Sequence, residues 1–134
     1  MISLVSIYAG GILTLMIAVF HTRFYKMFNW GDAFGKINAR DSRVLYTIHL
    51  ALLLLFFASG ALSLVYAGEL SRSVGLSFGL NVLLSAFWAW RMIWQFTYFK
   101  SAKGKKKPAI SIVLIVAFFL LAICYLIPPV LSAL

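Results

Sequence analysis

Four uncharged apolar runs fill most of the chain, and the breaks between them predict its architecture. The runs cover residues 2–20, 44–68, 74–90 and 109–127. A helix that crosses the bilayer core needs about 20 apolar residues at about 1.5 Å each, and all four runs come close to that length. We therefore predict an all-α integral membrane protein, built as one antiparallel four-transmembrane-helix bundle. The predicted spans lie at about 2–21, 44–68, 74–99 and 108–130.

The connections between the runs predict how the spans are arranged. Short connections favour sequential helices as neighbours in space. In the first loop, Trp30, Phe34 and Ile37 fall at helical spacing, and Asn29 precedes them as a candidate N-cap. This pattern predicts a short amphipathic helix in the membrane interface. The alternative is an irregular loop that carries interfacial aromatic residues.

Small residues predict where helix backbones approach each other, because apolar burial does not drive helix association within lipid. Gly75 and Gly79 are spaced four apart on the third span, Gly60 lies on the second, and Gly10 and Gly11 lie on the first. We predict close packing at these glycines in one half of the bundle. The other half carries bulky and polar residues, so the bundle should widen into a wedge there.

The distribution of charge predicts the orientation in the membrane. The chain has 12 basic and 3 acidic residues, a net charge of +9. Loops 21–43 and 100–107 hold ten of the basic residues, whereas the connection at 69–73 holds only Arg72. Because basic residues concentrate in cytoplasmic loops, we predict outward termini and two cytoplasmic basic loops in a bacterial inner (plasma) membrane. Basic charge beside spans fits anionic lipid headgroups, so no nucleic-acid partner is predicted.

The composition also restricts the chemistry. With 63% hydrophobic and 11% charged residues, the chain has no room for a soluble catalytic domain. The single cysteine, Cys124, excludes an internal disulfide and a covalently attached haem. The carboxylates Asp32, Asp41 and Glu69 all lie in loops, where they cannot assist the intramembrane polar residues. Hydrolytic catalysis is therefore not predicted, and a small transporter or channel is only the second alternative.

Polar side chains within one half of the spans form the candidate site. Intramembrane ionisable groups are costly and mark functional sites by default. Several of these residues share helix faces with the small residues, so they should point into the bundle. The structural alternative is that the arginine snorkels within an aromatic belt and the histidines lie at the interface. The predicted pocket consists of His21, His49, Arg91, Gln95, Trp88 and Trp94.

We interpret the chain as a non-enzymatic subunit or partner of a larger membrane complex, in contact with lipids and with other membrane subunits or further copies of itself. The alternative is a redox subunit. His21 and His49 could be the two axial ligands of one b-type haem, which is the only metal role predicted for them. A quinone or a lipid headgroup could instead accept hydrogen bonds from His49, Arg91 and Gln95.

Overall fold

The structure, a computed structural model, describes residues 1–97 and 109–134, and every element in these two ranges is a helix. In chain order they are α1 (Ile2–Thr22), α2 (Phe24–Met27), α3 (Trp30–Gly35), α4 (Ala39–Val65), α5 (Ala67–Arg72), α6 (Leu76–Thr97) and α7 (Ala109–Ala133). Helices α1, α4, α6 and α7 are long and apolar enough to cross a membrane. The prediction of an all-α membrane bundle with four spans is confirmed. The lysine-rich loop 100–107 lies outside the described residues.

Helix α4 begins before its apolar run because of a local cap. Asn38 is extended (φ −64°, ψ 152°), and its side-chain oxygen accepts a hydrogen bond of 2.8 Å from the backbone N–H of Asp41. This arrangement satisfies one of the free donors of the first helical turn. Arg40 and Arg43 therefore belong to the helix and not to an irregular loop. The helix ends at Val65, and α5 follows after Tyr66.

The first loop contains the predicted interfacial helix in a shorter form. Helix α3 begins at Trp30 and includes Phe34, but it ends before Ile37. Asn29 occupies the position before α3 in a left-handed conformation (φ 48°) and makes no side-chain cap. Its amide donates to Asp32 instead. The position of the helix start is thus confirmed, while the predicted capping bond is wrong.

The spans do not all pack in sequence order. Helix α1 packs against both α4 and α7, and α6 packs against α7. Between the described helices α4 and α6, however, no pair of Cα atoms comes within 8 Å. Sequential packing is therefore confirmed for the first and last pairs and wrong for the middle pair. Each of the two helices packs on a different partner instead, α4 on α1 and α6 on α7, and α5, which connects them along the chain, buries Ala67 and Leu70 against the bundle.

The glycines divide into two groups. A Cβ at Gly60 would lie 2.8 Å from Leu15 and 3.2 Å from the backbone oxygen of Gly11, and one at Gly11 would lie 2.8 Å from Leu64. No described atom lies within 4 Å of the corresponding position at Gly75 or Gly79. The predicted close packing on the third span is wrong. Gly75 instead has a left-handed φ of +57° in the turn that precedes α6.

The bundle has two ends of different composition. The terminal half contains both chain termini, α5 and the tightly packed glycines, and the loop half contains α2 and α3. The centre of the terminal half is Tyr125, which is fully buried. Its hydroxyl lies 2.8 Å from Ser63 Oγ and 3.4 Å from Thr14 Oγ1. Because Ser63 itself donates to the Ser59 carbonyl (2.7 Å), the hydroxyl of Tyr125 donates to Ser63.

Candidate functional site

Two histidines from neighbouring helices lie side by side in the loop half. His21 comes from the last turn of α1 and His49 from α4, and their side chains are 6% and 7% exposed. Their ring centroids are 6.1 Å apart, and the ring planes differ by 17°. The predicted pairing of these residues within the bundle therefore corresponds to a real proximity. The close packing of α1 on α4 sets this distance.

Aromatic rings from the first loop cover the histidines. The Phe24 ring lies 4.0 Å from His21 and 6.3 Å from His49 between centroids. Since His49 is almost equally distant from His21 and Phe24, it lies beside this stacked pair and not on its outer face. Trp30 meets His49 nearly edge-on at 4.8 Å and 78°. Helices α2 and α3 thus close the site from the loop side with apolar surface.

Two buried ring nitrogens make no hydrogen bond within the described chain: Nδ1 of His21 and Nε1 of Trp88. The imidazole of His21 interacts with the backbone of Ile17, one turn earlier in the helix, but Nδ1 does not meet the geometry of a hydrogen bond. Trp88 is only 1% exposed. Most buried polar groups in proteins are paired, and an unpaired one costs about 1–3 kcal/mol. These two nitrogens therefore require a physical or functional explanation.

A chain of ring contacts joins the two unpaired nitrogens. Phe56 meets His21 edge-on at 5.1 Å and stacks on Trp88 at 5.3 Å. Trp88 in turn stacks on Phe118 of α7 at 5.6 Å. Phe56 and Phe87 occupy the gap between α4 and α6, where the two backbones stay apart. Contact between these two helices is therefore made by side chains.

Arg91 and Gln95 form a second polar group on α6. Arg91 Nη1 donates to Gln95 Oε1 at 3.1 Å, and Gln95 Nε2 donates to Ser111 Oγ of α7 at 3.2 Å. The Arg91 guanidinium lies 4.9 Å from the centre of the Phe118 ring, a cation–π arrangement. It is also close enough to His21 for an electrostatic interaction. The α6 group and the histidine pair thus face the same region of the loop half.

The structure separates Trp94 from the other predicted site residues. Its side chain is 41% exposed, and its ring lies 5.6 Å from that of Trp90. Six residues correspond to a rotation of about 240° on a helix, so Trp94 and Trp88 cannot share a face. Phe24 and Phe118 also contact the candidate site residues, although the sequence pattern did not indicate them. Phe56 follows His49 by seven residues on one helix face, so its position could have been predicted.

The geometry does not fit a haem between the histidines. A porphyrin needs about 3.5 Å on each side of its plane. A haem with both histidines as axial ligands would lie in the plane midway between the two imidazoles. The ring centroids are 4.0 Å apart for His21 and Phe24, 6.1 Å for His21 and His49, and 6.3 Å for Phe24 and His49. These distances place the centre of the Phe24 ring less than about 3.5 Å from that plane, where the porphyrin would need the space. Within the described ranges, no group of three or more His, Cys, Asp or Glu residues could hold a metal ion.

The arrangement is rich in hydrogen-bond donors and aromatic surface, and the groups that build it come from all four spans. Chemically, these donors match a ligand with acceptor oxygens, and the arrangement provides no general acid or base pair built on a carboxylate. Comparison with known proteins adds no family, because no protein-family model, no curated protein and no solved structure matches the chain.

Proposed function

We propose that this small integral membrane protein is a non-enzymatic subunit that holds the head of a quinone-class ligand in its loop half. The observation that carries the proposal is the pair of buried, unpaired nitrogens, His21 Nδ1 and Trp88 Nε1, whose rings both contact Phe56. The indole nitrogen can only donate a hydrogen bond, and the imidazole nitrogen can donate in one tautomer. A ligand with acceptor oxygens would satisfy both.

A quinone fits these surroundings better than a phospholipid headgroup. Its head is a flat, uncharged ring with two carbonyl acceptors, which suits a site built from stacked aromatic rings. A phosphate buried under Phe24 and Trp30 would lose its hydration at a large cost. The apolar tail of a quinone could leave through the gap between α4 and α6, which only side chains such as Phe56 and Phe87 fill.

Binding to the protein in mild detergent tests this proposal. We expect equilibrium dialysis with a short-chain benzoquinone to show saturable binding by the natural chain. Trp88→Phe keeps the ring stack but removes the donor, so affinity should fall roughly tenfold. Trp90→Phe is the matched control, because Trp90 is 51% exposed. Absence of saturable binding, or an equal loss in the control, would contradict the proposal. A Soret band in the purified protein would favour the haem alternative.

The role as a subunit is supported by the surfaces of α4 and α6. These helices do not pack on each other, and they bury less of their apolar windows inside the bundle than α1 does. Their outer faces are therefore available to lipid or to another membrane protein. Native mass spectrometry after gentle extraction should show the chain together with a second membrane subunit or a further copy of itself. A lone chain under conditions that preserve known membrane complexes would contradict this role.

We also propose that the loop half faces the cytoplasm, which the basic residues of loop 21–43 support. The test uses a chain with Cys124→Ser, so that Ser42→Cys introduces the only thiol. An impermeant maleimide should label this residue only after the cells are permeabilised. Labelling in intact cells would reverse the orientation.

A further inference from the structure

An open groove of about 560 Å³ lies between α3 and the first turns of α4, away from the histidine pair. Its lining includes Tyr25, Gly31, Gly35, Arg43 and Tyr46. Arg43 directly precedes the apolar run of the second span, so the groove lies at the boundary between the bilayer core and water. Tyrosines are typical of this level of a membrane.

The groove presents donors without matching acceptors. Ser42 also lines the groove. No hydrogen bond to another described residue is made by four of the lining groups: the guanidinium of Arg43 and the hydroxyls of Ser42, Tyr25 and Tyr46. No carboxylate lines the groove.

The nearby acidic side chains are already engaged with asparagines. Asp32 accepts from Asn29, and Asp41 accepts from Asn38 at 2.6 Å. These bonds leave the carboxylates charged, but loop 21–43 holds five basic residues (Arg23, Lys26, Lys36, Arg40 and Arg43) against two acidic ones, a net charge of 5 − 2 = +3. The charge of the groove and its surroundings therefore complements an anion.

Two glycines leave the α3 wall of the groove bare. Gly31 and Gly35 lie one turn apart and both line the groove. The nearest described atom to a Cβ at Gly31 is the Tyr25 hydroxyl at 3.7 Å, and no described atom lies within 4 Å of one at Gly35. A ligand can therefore approach the helix closely between the tyrosines and Arg43.

We propose that this groove binds the headgroup of an anionic phospholipid from the same leaflet, with the phosphate on Arg43 and Ser42. The position of the groove at the membrane boundary favours a lipid over a free anion, because the acyl chains can continue along the exposed apolar face of α4, which includes Leu50 and Leu54. Charge-assisted hydrogen bonds to phosphate are about twice as strong as neutral ones, so Arg43 is the principal contact. This site is separate from the proposed quinone site and does not depend on it.

The experiment measures thermal stability of the full chain in a neutral detergent during titration with three probes. A ligand that binds only the folded state raises the melting temperature with concentration. We expect dioctanoyl phosphatidylglycerol to raise it with a saturable midpoint. Dioctanoyl phosphatidylcholine should do so only at clearly higher concentration, and inorganic phosphate at matched concentration should have no effect. Equal effects of the two lipids, or of free phosphate and phosphatidylglycerol, would overturn the proposal of an anionic lipid.

Two variants and two matched controls locate the site. Arg43→Gln should shift the phosphatidylglycerol midpoint roughly tenfold, and Gly35→Trp should abolish the saturable response by filling the groove. Arg72→Gln removes the basic residue of α5, and Gly68→Trp adds a ring where no described atom lies within 4 Å. Both controls should titrate like the natural chain. An unchanged midpoint in Gly35→Trp, or an equal shift in either control, would overturn the assignment to this groove.

Discussion

The two halves of the bundle are stabilised in different ways. In the terminal half, backbones meet at Gly11 and Gly60, and the hydroxyl of Tyr125 is paired with Ser63. In the loop half, contact is made through aromatic rings, and His21 and Trp88 each retain an unpaired buried nitrogen. The terminal half is therefore held by close backbone contact and paired hydroxyls, whereas the loop half keeps the unpaired groups on which the proposed binding site depends.

The separation between the halves has one exception. Asn81 of α6 is fully buried at the junction with α5, and its Oδ1 has no hydrogen-bond partner within the described chain. Its amide nitrogen, however, donates to the Leu70 carbonyl at 2.8 Å and thereby fixes α5 on α6. Unlike the two ring nitrogens of the loop half, this side chain already has a structural role.

The largest expected effect tests the close packing of the terminal half. Gly60→Leu should lower the free energy of unfolding by about 2–3 kcal/mol, because even its Cβ would collide with Leu15 and approach the Gly11 backbone. Gly79→Leu is the control and should change stability by less than about 0.5 kcal/mol. Reversible unfolding in mixed micelles measures both. A similar loss in the two variants would restore the third span as a packing surface.

The hydroxyl pair of the terminal half should have a smaller effect. Tyr125→Phe removes the bond to Ser63 while it keeps the ring in place, so the expected loss is about 1 kcal/mol. In a double-mutant cycle with Ser63→Ala, the coupling should be about 0.6 kcal/mol, as for other hydrogen bonds between membrane helices. Strictly additive effects would show that the two hydroxyls do not stabilise each other.

In the loop half, a substitution should affect ligand binding more than stability. His21→Leu removes a buried nitrogen that has no partner, so stability without ligand should stay within about 1 kcal/mol of the natural chain. Binding of the short-chain benzoquinone should be lost in the same variant. Unchanged stability together with lost binding would show that His21 serves ligand binding and does not stabilise the fold. A loss of stability as large as that of Gly60→Leu would instead assign it to the core.

The smallest effect is expected at Trp94, whose half-exposed side chain lies apart from the other predicted site residues. Trp94→Phe should change neither quinone affinity nor unfolding free energy by more than about 0.5 kcal/mol, since Trp94 is 41% exposed. Dialysis and unfolding measurements on this variant, in parallel with Trp88→Phe, separate the two tryptophans. An equal loss of affinity in both variants would return Trp94 to the binding site.

The sequence indicated most of the side chains that come together in the loop half, because polar residues are few in the spans. Within spans, any ionisable side chain is conspicuous, so His21, His49 and Arg91 could be selected without a structure. Gln95 was selected as well, and its bonds to Arg91 and Ser111 suggest that it positions the arginine. The aromatic residues were harder to assign, because rings also occur at the interface of every membrane protein.

The amino-acid sequence by itself determined that the chain is a membrane protein, how many spans it has and where the short helix α3 of the first loop begins. These properties depend on hydropathy over consecutive residues, and the capping of α4 by Asn38 is equally local. Only the tertiary structure decided that α4 and α6 stay apart, that Gly60 and not Gly79 is a packing site, and that Tyr125 bonds to Ser63. Such contacts depend on the relative rotation of helices that are distant along the chain, and an apolar sequence leaves that rotation open until the side chains pack.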